Sequence, residues 1–191
     1  MNFIKQIEQY QPLNEQEVAD KATILMMIEK FSHTILLRDN TIAHLTASGF
    51  ILNATFDKTL MIHHNIYKSW GWTGGHADGD ADLLHVALKE AQEETGITSV
   101  KPLSSGIAAL DILPVFSHMK REKFVNTHLH LSCAYLLIAD EGETLQYNPN
   151  ENSGARWIPL KEVSTHCSET HMLPVYQKLI KKAEQIYANN R

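Results

Sequence analysis

A glycine-rich loop that leads directly into an acidic helix is the feature that most constrains how this chain can fold. Residues 65–80 read NIYKSWGWTGGHADGD, and their glycines and aromatic residues exclude a regular element. The residues that follow carry apolar side chains at helical spacing, so a helix is predicted over about 81–95, with Asp80 as its N-cap and Gly96 as its C-cap. Strand-like segments flank this unit, and strands interleaved with helices indicate an α/β or α+β fold.

Three glutamates share one face of the predicted helix. Glu90, Glu93 and Glu94 are spaced i, i+3 and i+4. Their mutual repulsion costs a few tenths of a kcal/mol per pair, and the helix dipole adds to this cost near the C-terminus. Lys89 points about 100° around the helix from Glu90 and cannot neutralise all three. The cluster therefore favours a hard divalent cation such as Mg²⁺, although a solvated helix face is the alternative for acids in such a stretch.

The net charge of the whole chain is located in this unit. Residues 75–97 hold six acidic residues against Lys89, whereas the other 168 residues carry 16 acidic and 16 basic side chains. A net charge of −5 with scattered basic residues argues against stable binding to nucleic acid or to an anionic membrane. Small molecules are therefore the expected partners.

The string GHADGDADLLHVALKEAQEETGI, residues 75–97, resembles the Nudix box, the sequence signature of the Nudix hydrolase family. The box is a glycine, five residues, a glutamate, seven residues, Arg-Glu, an aliphatic residue, any residue, Glu-Glu, any residue, a glycine and an aliphatic residue. Two positions depart from it, since Ala81 stands at the first glutamate and Lys89 at the arginine. The matching positions are Gly75, Glu90, Glu93, Glu94, Gly96 and Ile97.

The resemblance implies a Nudix-type α/β/α sandwich with a mixed sheet and a C-terminal helix over residues 41–191. Residues 1–40 then form a helical N-terminal extension outside that core. The sequence leaves two roles open for this extension, a part in substrate choice and a contact in a homodimer.

The resemblance also implies an activity. Nudix hydrolases cleave a phosphoanhydride of a nucleoside diphosphate linked to another moiety, with Mg²⁺ or Mn²⁺ held by the three matched glutamates and the carbonyl of Gly75. A further carboxylate outside the box usually acts as a ligand or a general base. Glu151 is the candidate here, with Glu141 and Glu143 as alternatives.

Candidates for substrate binding lie outside the box. Trp70 and Trp72 are expected either to stack on a base or to pack in the core, and Arg121 lies in a basic loop that contacts either phosphate or solvent. His128 and His130 alternate with leucines, which directs both imidazoles to one sheet face, toward the expected cleft. The sequence has eleven histidines but no close Cys/His set that favours zinc.

Two other functions compete with a pyrophosphohydrolase. Ala81 and Lys89 motivate a metal- or nucleotide-binding module with impaired catalysis. A prenyl diphosphate isomerase resembles Nudix hydrolases in fold but needs an active-site cysteine, whereas Cys133 lies on the predicted apolar face of its strand.

Cysteine usage and apolar runs predict the compartment. Two cysteines are too few for a disulfide scaffold, and no run approaches the roughly 20 apolar residues of a membrane span. The first residues also lack the apolar core of a signal peptide. We therefore expect a soluble, unprocessed cytoplasmic protein.

Overall fold

The computed structural model describes residues 3–120 and 122–189. Its helices are α1 (Phe3–Gln9), α2 (Glu15–Lys30), α3 (Leu83–Thr95), α4 (Val163–His166) and α5 (Leu173–Asn189), with single 3-10 turns at Leu160–Glu162 and Thr170–Met172. Its strands are β1 (Ala43–Leu52), β2 (Lys58–His64), β3 (Trp70–Gly71), β4 (Thr73–His76), β5 (Lys101–Pro102), β6 (Ala109–Val115), β7 (His118–Lys120), β8 (Lys123–Val125), β9 (His128–Ile138) and β10 (Asn152–Pro159). No described helix combines the length and the apolar character needed to cross a membrane.

The main sheet is mixed, with β1 and β9 at its centre. These two strands run parallel, in register from Ala43 opposite Leu129 to Leu52 opposite Ile138. On the other side of β1, β4 and β2 pair antiparallel with its two halves, and β10 and β3 extend the sheet from β2. Strands β6 and β5 pair antiparallel with β9. The predicted mixed sheet is therefore confirmed.

Helices cover both faces of this sheet and enclose two hydrophobic cores. The first core joins one sheet face to α1, α2 and α3, for example through Ile7, Ile24 and Ala87. The second core joins the opposite face to α4 and α5, for example through Val163 and Leu179. This is the sandwich predicted from the sequence, including the N-terminal helices and the amphipathic C-terminal helix.

The N-terminal helices lie against strand β6. The backbone N–H of Ile112 donates to Asp20 Oδ2 at 3.0 Å, and that of Leu110 to Glu17 Oε1 at 3.4 Å. Glu17 is fully buried and also pairs with Lys178 of α5 at 2.9 Å. Acidic side chains of α2 thus satisfy strand donors that would otherwise be open to pairing with another chain.

Three local predictions differ from the structure. Helix α3 begins at Leu83, and its N-cap is Asp82, whose Oδ1 accepts from the N–H of His85 at 3.1 Å; the prediction of Asp80 as the cap is wrong by two residues. The segment 118–124, expected to be a basic loop, contains the antiparallel hairpin β7–β8. Residues 65–80, expected to lack regular elements, contain the short strands β3 and β4. The cap error arises at an element boundary, where competing local hydrogen bonds decide the outcome. The missed strands form by pairing with other segments, β3 with β2, β4 with β1 and β7 with β8, which the local composition does not reveal.

The predicted C-cap of α3 is confirmed. Gly96 has φ 72°, and its N–H donates to the carbonyl of Gln92 at 2.8 Å. A Cβ added here would lie 2.9 Å from Cβ of Gln146. The position therefore needs a residue without a side chain, both for its backbone angle and for its packing.

We expect Gly96→Ala to lower the free energy of unfolding by about 2 kcal/mol, because it combines a left-handed alanine with a steric contact. Urea denaturation followed by circular dichroism measures this change. Gly106→Ala is the matched control, since no heavy atom lies within 4 Å of a Cβ at that exposed glycine. Equal losses in the two variants would contradict the assignment of Gly96 as a required cap.

Candidate functional site

The glycine loop is held between β1 and α3 by close backbone approach. Strand β4 pairs with β1 so that Gly75 lies opposite Ala47 and Gly74 opposite Ser48. A Cβ on Gly75 would lie 2.4 Å from the carboxyl carbon of Glu90. Any side chain at this position would therefore displace the carboxylate that the sequence places in the metal site.

Glu94 is the most buried of the three glutamates, with 7% of its surface exposed. Its Oε2 accepts a hydrogen bond from the N–H of Gly74 at 2.9 Å, and its Oε1 lies 3.5 Å from Nδ2 of Asn152. Burial nevertheless raises the pKa of Glu94 to about 8. The two donors orient this carboxylate but do not offset its desolvation, so a nearby cation would stabilise its charged form.

Glu90 and Glu93 complete the acidic face. Burial, followed by the charge of Glu93, raises the pKa of Glu90. Glu93 is exposed, and one of its oxygens lies 3.7 Å from Nζ of Lys89. The lysine therefore contacts only the outermost glutamate and leaves the inner pair without a basic partner from the helix.

Acidic residues brace the segment between β4 and α3, where Ala81 replaces the first glutamate of the box. Asp80 Oδ2 contacts Nδ1 of His85 at 2.8 Å, and its Oδ1 accepts from the N–H of Asp82. Asp78 pairs with the guanidinium of Arg38. The segment is thus tied to the first turn of α3 on one side and to the N-terminal extension on the other.

Among the predicted loop carboxylates, the structure brings Glu151 close to the box. After burial and the nearer glutamates, the charge of Glu151 is a further cause that raises the pKa of both Glu90 and Glu94. Asn148 Nδ2 lies 3.4 Å from Oε2 of Glu151. The other two candidates have structural contacts elsewhere.

Glu141 and Glu143 make hydrogen bonds and ion pairs away from the box. Glu141 pairs with Lys58 at 3.1 Å. Glu143 accepts hydrogen bonds from the backbone and hydroxyl groups of Thr98 and Ser99, and the hydroxyl of Ser99 is the largest cause that lowers its pKa to about 2. Neither glutamate is directed to the box by these contacts.

The two predicted tryptophans have different surroundings in the fold. Trp72 is 9% exposed and packs edge-on against Tyr176 in the second core, so its ring serves packing, one of the two roles that the sequence left open. Trp70 is half-buried, and the guanidinium carbon of Arg156 lies 4.4 Å from its ring centroid. Arg121 lies outside the described residues.

His128 and His130 share a sheet face, as predicted, but they belong to a larger group. Their ring centroids are 5.2 Å apart, and His44 lies about 5 Å from both. His44, His76 and His130, here called the histidine cluster, come from β1, β4 and β9, with ligand atoms all within 4.8 Å of one another. The sequence has no close Cys/His set that favours zinc, but strand pairing brings these three histidines together from segments far apart in the chain. Only the alternation at 128 and 130 pointed toward this group.

Cys133 lies in the core, as the sequence predicts. It is fully buried in β9, and burial raises the pKa of its thiol to about 12. A thiol in this environment stays protonated and inaccessible, which argues against chemistry by an active-site cysteine.

The acidic face fits a hard divalent cation. The three glutamates share one side of α3, and the backbone approaches Glu90 too closely for any side chain at Gly75. The raised pKa of the buried Glu94 indicates a carboxylate whose charge needs a partner. Oxygen ligands of this kind are those that Mg²⁺ and Mn²⁺ prefer.

Comparison with known proteins points to one family. A family model described as the NUDIX domain matches residues 43–179. A curated relative, the "Probable DHNTP pyrophosphohydrolase" of Lactococcus lactis subsp. cremoris, is 27% identical over 143 residues, which cover 74% of this chain and 81% of the relative. A crystal structure of a C. elegans Ap4A hydrolase binary complex is similar in fold, with a TM-score of 0.52 and 16% identity over 70% of this chain and 93% of that one.

Proposed function

Because this chain belongs to the NUDIX family, we propose that it cleaves a phosphoanhydride of a nucleoside diphosphate linked to another moiety, with metal-activated water. The curated pyrophosphohydrolase relative supports the broader class, a hydrolase acting on pyrophosphate bonds. The observation that carries the proposal is the buried Glu94, held by the N–H of Gly74 beside Glu90.

Glu90, Glu93, Glu94 and the carbonyl of Gly75 would hold Mg²⁺ or Mn²⁺ in this function. Such an ion neutralises the diphosphate and lowers the pKa of water bound to it. The protein's own part is to orient the ligands. The N–H of Gly74 and the amide of Asn152 position Glu94, and Lys89 keeps its charge beside Glu93.

Glu151 is our candidate for the general base that accepts a proton from the attacking water. It lies in the loop before β10, near the inner glutamates, and Asn148 can orient its carboxylate. A general base typically contributes about 10²–10⁴ in rate.

We therefore expect Glu151→Gln to lower kcat by about 100-fold and to remove the limb of the pH–rate profile that reports the base, while Mg²⁺ affinity changes little. Steady-state kinetics across pH, with Mg²⁺ titrations, measure both effects. Glu141→Gln is the control, because that carboxylate pairs with Lys58 instead. An unchanged kcat and pH profile in Glu151→Gln would exclude this role.

Substrate recognition is proposed to involve Trp70 and Arg121. Trp70 offers a half-buried ring near the start of β10. His128 and His130 lie on the sheet face opposite α3, away from the glutamates of the box, so we leave them out of this set. We leave Trp72 out of this set because its ring packs in the core.

The partners and location follow from the same proposal. The chain acts in the cytoplasm on small nucleotide-type molecules, without stable binding to nucleic acid or membranes. A homodimer contact of the N-terminal extension stays a separate proposal, which light scattering on the purified protein tests directly.

The experiment for the function is a Mg²⁺-dependent panel assay of phosphate and nucleotide release. The panel contains nucleoside diphosphate sugars, Ap4A and other dinucleoside polyphosphates, ADP-ribose, CDP-alcohols, oxidised nucleotides and DHNTP. Hydrolysis of at least one compound, abolished by a chelator, is expected. Binding of a panel compound without any turnover would instead favour the impaired binding module suggested by Ala81 and Lys89.

A further inference from the structure

The histidine cluster lies on the sheet face opposite the acidic site. His44 and His130 are directly opposed in the β1–β9 pairing, and His76 is opposed to Thr46, so the three side chains project from the same face. The three ring centroids form a nearly equilateral triangle with sides of 5.0, 5.0 and 5.1 Å. Three imidazoles therefore converge on one point from three different strands.

Hydrogen bonding sets the tautomer of His44. Its Nδ1 lies 2.9 Å from the carbonyl oxygen of Asn40, which can only accept, so Nδ1 carries the proton and Nε2 has a free lone pair. His44 is 2% exposed, and its Nε2 meets no hydrogen-bond partner among the described residues. The buried Nε2 of His130 has no such partner there either. A buried nitrogen without a hydrogen-bond partner destabilises the folded state unless another group or an ion binds it.

The buried imidazoles of the cluster are available as neutral ligands. Burial, followed by the neighbouring histidines, lowers the pKa of His130 to about 2, and burial also lowers the pKa of His44. These rings are therefore neutral near pH 7 and need not lose a proton to become ligands. The contact of His44 with the Asn40 carbonyl is the type of outer hydrogen bond that orients metal-binding histidines.

We propose that His44, His76 and His130 bind a Zn²⁺-type transition-metal ion through three imidazole nitrogens, at a site separate from the acidic one. Zn–N distances of about 2.0–2.1 Å in a tetrahedral site place the nitrogens roughly 3.3 Å apart. Their ligand atoms already lie within 4.8 Å of one another. Side-chain rotations that move each nitrogen by about 1 Å would therefore complete the tetrahedral geometry.

A fourth ligand position is available on the same face. The ring centroid of His128 lies 4.9 Å from that of His44, and its Nδ1 contacts the carbonyl of Asn126 at 2.9 Å, which leaves Nε2 as the acceptor. Either this imidazole or water therefore completes the tetrahedron. The nitrogen ligands favour zinc over Mg²⁺, which prefers oxygen.

Strand β4 places the two sites on its opposite faces. Gly75 approaches Glu90 on the side of α3, while the next residue, His76, joins the histidine cluster on the other side. Zinc bound to His76 therefore restrains the strand that carries the glycine loop, and we expect it to stabilise the folded protein.

The test is a titration of the chelator-treated full-length chain with ZnCl₂. We expect one equivalent to bind and, at about 100-fold excess over its Kd, to raise Tm by roughly 5–10 °C. MgCl₂ at the same concentration should give a clearly smaller shift. Competition against a chromophoric chelator measures the stoichiometry independently of unfolding.

Variants identify the ligands. His44→Gln and His130→Gln should lose the zinc-dependent Tm shift, whereas the exposed His33→Gln should retain it. If either cluster variant fails to fold, the wild-type stoichiometry and the Co²⁺ absorption spectrum of a nitrogen-ligated site still decide the question. The proposal is overturned if the wild type binds no stoichiometric zinc, if both cluster variants keep the full shift, or if Glu94→Gln alone removes it.

Discussion

Glu94→Gln should abolish Mg²⁺-dependent turnover and leave the fold intact. Glu94 is the buried member of the acidic face, so its charge acts where solvent screens it least. We expect kcat to fall by at least about 10³-fold, at the upper end of the effect of removing one preorganised electrostatic contact. Steady-state kinetics with a panel substrate and Mg²⁺ titrations measure the loss.

The substitution is expected to preserve the fold because an amide suits the local hydrogen bonds. The oxygen of Gln can still accept from the N–H of Gly74. Its NH₂ group would face Nδ2 of Asn152, so the Asn152 amide must turn to present Oδ1, which has no partner among the described residues, as the acceptor. An unchanged circular dichroism spectrum is therefore expected.

The control for this variant is Glu29→Gln, which changes an exposed glutamate of α2. It should retain wild-type kinetics. Turnover that is unchanged in Glu94→Gln would refute the assignment of the acidic face as the catalytic centre. A fall in activity accompanied by unfolding would instead show that Glu94 acts mainly by bracing the loop.

Glu17→Ala should remove a large part of the stability of the protein. The carboxylate of Glu17 accepts from the hydroxyl of Tyr10 at 2.7 Å and from the N–H of Leu13 at 2.7 Å, and it pairs with Lys178 at 2.9 Å. Lys178 also pairs with the buried Asp111 at 2.7 Å. Removing one partner of a buried ion pair typically costs about 3–5 kcal/mol, against a total stability of about 5–15 kcal/mol.

Urea denaturation measures this loss, and Glu15→Ala is the matched control. Glu15 lies in the first turn of the same helix but is exposed, so its replacement should change stability by less than about 0.5 kcal/mol. Glu17→Gln keeps the shape of the side chain and removes its charge, and should fall between the two. A loss below about 1 kcal/mol in Glu17→Ala would mean that the network contributes little.

The same residue shows the limit of local sequence patterns. Glu17 follows Asn14 by three residues, a spacing typical of a capping box, and Asn14 does accept from the N–H of Glu17 at 2.9 Å. The side chain of Glu17, however, also reaches β6 and α5. Its second role depends on residues about 90 and 160 positions away along the chain.

The aromatic residues before the box give a second example. Trp70 and Trp72 have similar sequence surroundings, and alternation puts both on the same side of an extended segment. The structure covers Trp72 with Tyr176 of α5 and leaves Trp70 against Arg156. Helix α5 determines this difference, and the spacing of residues around the two tryptophans does not indicate where that helix packs.

By itself, the sequence determined the parts of this protein whose geometry is local. Helical periodicity placed Glu90, Glu93 and Glu94 on one face, and the need for a left-handed residue placed Gly96 at its end, because both depend on neighbours within one or two turns. Tertiary structure alone decided that Glu151 lies near those glutamates, that Glu17 is buried against Lys178, and that three distant histidines meet. Strand register and helix packing set those distances, and both arise from contacts between segments that are remote in the chain.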